Sequence, residues 1–405
     1  MEQKVRIDLY RDMRVLPITI GNTLEINNFK QMKIGFDAKR AFLNSSGLGN
    51  YSRNTLNALH RFFPENNYIL FTPRVTDRVF KDYHHFKVVS PQNRIVKRMR
   101  SLWRSLFLIP QFKRHDVELF HGLSNELPKG MHKSHIPSVV TIHDLIFMRY
   151  PEFYNLIDCK IYFKKVKYAC QAADKIIAIS DQTKRDIETF FHVSPGKVEL
   201  IYQPVAPAFF EKQDISYIHE KYGLPENFIL AVGTLEPRKN QLALLQAVHR
   251  AGIEAPLVFV GKQNASYVAE MKRFIDEKGM KARVRFLSGV PEEELAGLYQ
   301  CAAFSVYISV FEGFGLPVIE AMASGCPVLT STVSVLPETA GEAAVLCHPA
   351  RIEDIAEKVA AIWDNESLRN ELIKKGKIRA GQFHPENYAK NLISLYAKII
   401  KEKNA

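Results

Sequence analysis

Short apolar runs rich in valine, isoleucine and phenylalanine recur along this chain between longer stretches of helical pattern, and they fall into two series. The first occupies residues 32–36, 68–71, 86–89, 117–120, 138–142, 175–179 and 198–201. The second occupies 228–232, 257–260, 284–287, 304–308 and 328–330. Continuous apolar runs separated by helical crossovers mark strands buried on both faces of a parallel sheet. Gln203-Pro204-Val205-Ala206-Pro207 separates the two series, because proline neither propagates a helix nor donates to a ladder. The expected fold class is therefore α/β, with two doubly wound Rossmann-like units. Expected bounds are 32–205 and 206–382, and 383–405 is expected to return as an amphipathic helix toward the first unit. Residues 1–31 mix charges with short apolar pieces, and read as a poorly anchored extension ahead of a natural start at Met32.

With 405 residues, 46% of them hydrophobic and 24% charged, the chain has enough apolar material for two cores. No apolar run has the length of a bilayer span, and the first residues lack the order of a signal peptide. Cys159, Cys170, Cys301, Cys326 and Cys347 are scattered without a CxxC pair, and read as reduced thiols of a cytoplasmic protein. A net charge of +12 points to an acidic partner.

The densest chemistry lies in Phe311-Glu312-Gly313-Phe314-Gly315-Leu316-Pro317-Val318-Ile319-Glu320. A strand ends just before it, and Pro317 suits the first turn of a helix that Gly325 and Pro327 stop. Free loop amides and the helix dipole favour an anion here, while Glu312 and Glu320 are suited to hydroxyls around it. A nucleoside diphosphate sugar has that layout, with hydroxyls at each end and two phosphates between. A second loop, Gly233-Thr234-Leu235-Glu236-Pro237-Arg238-Lys239-Asn240, also follows a strand of the second series. Its two cations read either as a diphosphate site or as a solvated pair, and the shared sheet edge favours one ligand for both loops.

Gly47-Leu48-Gly49-Asn50-Tyr51-Ser52 opens a helix after the first strand. A nicotinamide dinucleotide is disfavoured, since the next strand ends in Thr72-Pro73 and not in an acidic residue. These glycines admit a ligand across the cleft or serve close packing. His143-Asp144 stands at the end of a buried strand, where ligands of open α/β sheets bind, and His121 occupies a comparable place with weaker support. Ser180-Asp181 reads as a helix cap. No Asp-x-Asp pair, Walker lysine loop or Gly-x-Ser-x-Gly occurs, so no metal is expected. Residues 93–114 interleave basic residues with Ile95, Val96, Met99, Leu102, Trp103, Leu106 and Phe107. They read equally as a core-facing helix or as a helix lying on an anionic membrane. Nucleic acid is not expected, for no recognition module accompanies the charge.

From Met32 onward these motifs resemble the retaining glycosyltransferases of the GT-B fold, family 4, in the style of bacterial polysaccharide mannosyltransferases. The most specific match is the Glu-x7-Glu pair Glu312 and Glu320, with the Gly233–Asn240 loop and His143-Asp144 beside it. The resemblance implies two Rossmann-like domains facing a cleft: an N-terminal acceptor domain and a C-terminal nucleotide-sugar donor domain. It implies catalytic roles for His143, Arg238, Lys239 and Glu312, the two cations holding the diphosphate as it leaves. Gly47, Gly49, Asp144, Gly233, Gly313, Phe314, Gly315, Leu316 and Glu320 would bind substrate, with Glu320 on the ribose. Many members place arginine directly after the strand-closing glycine; here Thr234 stands there, and Arg238 is expected to supply the charge. The implied partners are a nucleoside diphosphate sugar, leaning to GDP-mannose, and a glycan or lipid-linked acceptor, at the inner face of the plasma membrane, with no metal or other cofactor. A nucleotide-sugar epimerase or hydrolase is the alternative enzyme, and a non-catalytic nucleotide-sugar binder a third reading.

Overall fold

The computed structural model describes residues 31–92, 103–104 and 107–404. Residues 1–30 of the N-terminal extension, and 93–102 and 105–106 of the basic stretch 93–114, lie outside the described residues. Strands β1 Lys33–Asp37, β2 Asn67–Phe71, β3 Lys87–Val89, β4 Leu119–Gly122, β5 Ser138–Ile142, β6 Lys175–Ala178 and β7 Val198–Leu200 form one parallel sheet, in the order β3-β2-β1-β4-β5-β6-β7. Strands β8 Ile229–Val232, β9 Leu257–Val260, β10 Val284–Leu287, β11 Phe304–Tyr307, β12 Val328–Ser331 and β13 Val345–Cys347 form the second, ordered β10-β9-β8-β11-β12-β13. Each sheet reverses its strand order beside its first strand, at β1/β4 and at β8/β11, which opens a crevice at the carboxyl edge there.

The register follows from burial. Ile34 and Phe36 of β1 sit opposite Tyr68 and Leu70 of β2, and all four are buried. In the second sheet Leu230 and Ser305 pair across β8 and β11, which brings the loops that follow these strands side by side. The three-residue strand β13 went unforeseen: Val345-Leu346-Cys347 is too short to show periodicity, and only pairing with β12 makes it a strand.

The helix Pro385–Asn404 packs on the helix Gly47–Phe62 of the first unit. Leu392, Ile393 and Ile399 are buried along it, each contributing about 1.5–3 kcal/mol. A buried polar chain fixes its rotation. Tyr388 Oη hydrogen-bonds Tyr51 Oη at 2.7 Å and Thr55 Oγ1 at 2.9 Å, and Tyr396 Oη meets His121 Nδ1 at 2.6 Å. His121 Nε2 in turn meets Thr141 Oγ1 at 2.8 Å, so both ring nitrogens are occupied inside the protein. His121 is thus a structural residue. Burial and nearby His143 hold its pKa down to about 3. Trp103 is buried with Phe71 and Phe112 in the first core, and Arg104 pairs with Asp37 at 3.2 Å.

Candidate active site at the junction of the two sheets

β8 ends at Val232, and Gly233 follows at φ +143°, backbone that side chains rarely adopt. The turn Pro237–Lys239 then carries Arg238 and Lys239 back across the end of β11. The two loops are joined by their backbones, Val310 N donating to Arg238 O at 2.9 Å. Lys239 Nζ donates to Glu312 Oε1 at 2.6 Å and to Tyr307 Oη at 2.5 Å. Arg238 reaches the same Glu312 oxygen at 2.8 Å, the Phe311 carbonyl at 2.8 Å and Glu236 at 2.7 Å.

These contacts set the charges. Burial opposes ionisation of Glu312, but Lys239 and Arg238 outweigh it and hold the carboxyl down at about 2. Burial pulls on the Arg238 guanidinium too, and Glu312 and Glu236 more than compensate. The Lys239 ammonium is drawn down by burial and by Arg238, against the pull of Glu312. Of its three N–H donors two are engaged, which leaves one for a ligand.

Glu320 stands in the opposite environment. It lies in the helix Leu316–Ala323, half-buried, and its carboxyl is pushed up to about 8 by burial and by Glu292. The two carboxylates of one motif therefore differ in charge below about pH 8. Gly315 precedes this helix at φ +94°, and Leu316 opens it ahead of Pro317, which has no N–H to leave unpaired. The Phe314 side chain turns away into the core against Tyr202 and Phe383, so only its backbone faces the loop.

The first sheet meets this loop directly. A Cβ on Gly313 would stand 2.4 Å from His143 O and 2.9 Å from Asp144 Cβ, so only glycine lets the units approach so closely. Tyr150 packs on the Phe311 ring at 5.2 Å from the same side. Asp144 Oδ1 accepts from Ile146 N at 3.1 Å, and burial raises this carboxyl with Arg238 and Glu312 nearby. His143 presents less than its position promised. Its Nε2 contacts the Leu123 carbonyl at 2.9 Å, its ring packs edge-on to Tyr51, and burial lowers its pKa to about 4. The ring is neutral at physiological pH, with its Nε2 proton given to a backbone oxygen. Gly47 is exposed at a helix start with open space around it, whereas Gly49 would collide with Asn44 O at 1.8 Å. Gly49 is a packing glycine. Ser45 of this loop accepts from Lys262 Nζ at 3.3 Å, a second bridge between the units.

Sequence reasoning passed over Lys39 and Arg40, in the short helix just past β1. Among the described residues neither has a carboxylate in ion-pair distance, and Arg40 Nε is buried without a hydrogen bond. Burial and the neighbouring Arg104 and Arg40 lower the Lys39 ammonium to about 8. Their place at the carboxyl end of β1 was the available signal. Among the described residues no group of three or more His, Cys, Asp or Glu side chains could hold a metal ion.

Two Rossmann-like units with carboxyl edges meeting over paired cations and a Glu-x7-Glu loop define a GT-B glycosyltransferase. Family models of glycosyltransferases match both units: the one described as Glycosyltransferase Family 4 matches residues 45–209, and the one for Glycosyl transferases group 1 matches 214–379. The O-antigen chain mannosyltransferase B of Escherichia coli is 29% identical over 291 residues, covering 69% of this chain and 74% of that protein. The serotype-specific mannosyltransferase WbdA of Escherichia coli is 26% identical over 297 residues, covering 70% of this chain and 36% of that longer protein. Among solved structures, Anabaena Alr3699/HepE in complex with UDP-glucose shares the fold at a TM-score of 0.73 and 18% identity, over 91% of this chain and 100% of that one.

Proposed function

We propose that the chain is a retaining transferase moving a hexose, mannose foremost, from a nucleoside diphosphate sugar to a lipid-linked or cell-surface glycan. The observation that carries this reading is the convergence of Arg238 and Lys239 on Glu312 beside the Gly313–Leu316 backbone, directly against His143-Asp144 of the other unit. Mannosyltransferase relatives support the choice of sugar, and GDP-mannose is the donor we favour.

In this reading the free donors of Lys239 and Arg238 meet the β-phosphate, and stabilise the charge that develops as the glycosidic C–O bond breaks. Glu312, ionised and held by both cations, accepts hydrogen bonds from sugar hydroxyls. Glu320 faces the ribose. The acceptor hydroxyl attacks from the face that the diphosphate leaves, and its proton passes to the departing phosphate oxygen, which gives retention without a protein nucleophile. Lys39 and Arg40 line the acceptor side and suit an acceptor bearing negative charge. The neutral, internally bonded His143 is a poor acid or base, which argues against the epimerase or hydrolase alternative.

The test is thermal denaturation with UDP, GDP, ADP and their sugar conjugates, followed by nuclear magnetic resonance of the product's anomeric proton. One base should raise the melting temperature, with the shift lost in Glu320→Ala. The product should keep the donor's anomeric configuration. An inverted product, or donor consumed equally fast without acceptor, would overturn the assignment.

A further inference from the structure

The helix Leu156–Ala172 joins β5 to β6, and its outer face is unlike the rest of the surface. Among the described residues eleven large hydrophobic side chains are exposed, and five of them fall between Phe153 and Tyr162. Leu156 is 73% and Ile157 68% exposed, the others being Phe153, Ile161 and Tyr162. Single exposed apolar residues need no explanation, but a contiguous group does. Ile157, Ile161, Lys160 and Lys164 lie three or four residues apart, so the apolar and basic side chains share one face. Lys160, Lys164 and Lys167 are all exposed; the acidic residues in this stretch are Glu152 and Asp158. Lys165, also exposed, is instead paired with Glu126 at 3.0 Å.

The position matters as much as the composition. The chain reaches this helix from the candidate active site: His143-Asp144, then Tyr150 on Phe311, then Tyr154, whose hydroxyl lies within electrostatic reach of Asp144 and Arg238. The apolar group therefore stands at the mouth of the cleft. Aliphatic and aromatic side chains among lysines are what an interfacial helix offers to acyl chains and anionic headgroups at once.

We propose that the outer face of the helix Leu156–Ala172, with Phe153 ahead of it, docks on an anionic lipid bilayer. Docking sets the cleft mouth at the membrane surface, where an acceptor anchored by a lipid would present its glycan. This is a different element from residues 93–114, whose Trp103 is buried.

The test uses the full chain and vesicles of phosphatidylcholine, with and without phosphatidylglycerol. The protein should sediment with the anionic vesicles and be released by salt. Ile157→Asp, and Lys160→Glu with Lys164→Glu, should each weaken binding by about tenfold or more. The emission that Ile157→Trp adds over that of the native Trp103 and Trp363 should shift to the blue only with anionic vesicles. Thermal denaturation checks that each variant is folded. Unchanged binding by folded Ile157→Asp, an unshifted tryptophan, or a dimer in solution that Ile157→Asp dissociates would overturn the proposal. Because vesicle binding needs neither donor nor acceptor, its outcome is independent of the sugar or base transferred.

Discussion

Gly313→Ala isolates the junction on which the proposed catalysis depends. The added methyl group would lie 2.4 Å from the His143 carbonyl oxygen, where side-chain carbons essentially never come closer than 3.0 Å. The loops must therefore part by at least about 0.6 Å. Neither side yields easily. His143 N donates to Asn125 Oδ1 at 2.8 Å, His143 O accepts from Thr183 Oγ1 at 3.3 Å, and Ser334 Oγ bonds both the amide and the carbonyl of Glu312. The movement is then taken up between the two units, which opens the cleft at the reacting centre. A misplacement of about 1 Å costs on the order of 100-fold in rate, so a loss of roughly 10- to 100-fold in kcat is expected. Overpacking costs about 1–3 kcal/mol of stability, well short of unfolding a chain of this size. The assay is steady-state transfer at saturating donor and acceptor, with donor Kd measured by calorimetry. Donor Kd should change little, since Arg238, Lys239 and Glu320 belong to one unit. Gly381→Ala, with nothing within 4 Å of its new methyl group, is the control. A kcat within twofold of wild type, or a loss carried wholly by donor Kd, would refute this account of the junction.

Three further outcomes follow from the site. Lys239→Ala should lower kcat by about 100-fold or more, as expected for a group aimed at the leaving phosphate; near-normal turnover in a folded variant would remove it from that role. Burial lifts Glu320 from 4.5 to about 8, so in that window the native state holds a proton that the unfolded chain has released. Stability should fall as pH rises through it, and Glu320→Gln should raise Tm above about pH 8 but not below 4.5; a pH-independent gain would contradict the burial argument. Lys39→Ala and Arg40→Ala should each raise the acceptor KM about tenfold and leave the donor KM unchanged, and an equal rise in both would place these cations on the donor.

The architecture was legible because doubly wound sheets leave an unmistakable alternation of apolar runs, and because glycine, proline and charge cluster at strand ends. Arg238, Lys239 and Glu312 could be named for the same reason. Charge state could not, because it depends on residues distant in sequence: Lys239 holds Glu312 ionised, while Glu292 helps to keep Glu320 protonated. His143 was placed correctly at its strand end, but nothing local tells that the Leu123 carbonyl and Tyr51 enclose its ring. Helical periodicity was equally silent on which face is covered. Trp103 lies in a stretch that reads equally as core or as membrane surface and is buried, whereas nothing in the sequence sets Leu156 and Ile157 apart and they are exposed.

The closing helix has a consequence for the order in which this protein is made. Tyr51, Thr55 and His121 leave the ribosome early, yet their buried partners Tyr388 and Tyr396 come only with the segment Pro385–Asn404. An unpartnered buried polar group costs about 1–3 kcal/mol, so the first unit remains incomplete while the second is synthesised. The helix Pro385–Asn404 acts as a late seal, completing the first unit only after the second has been made.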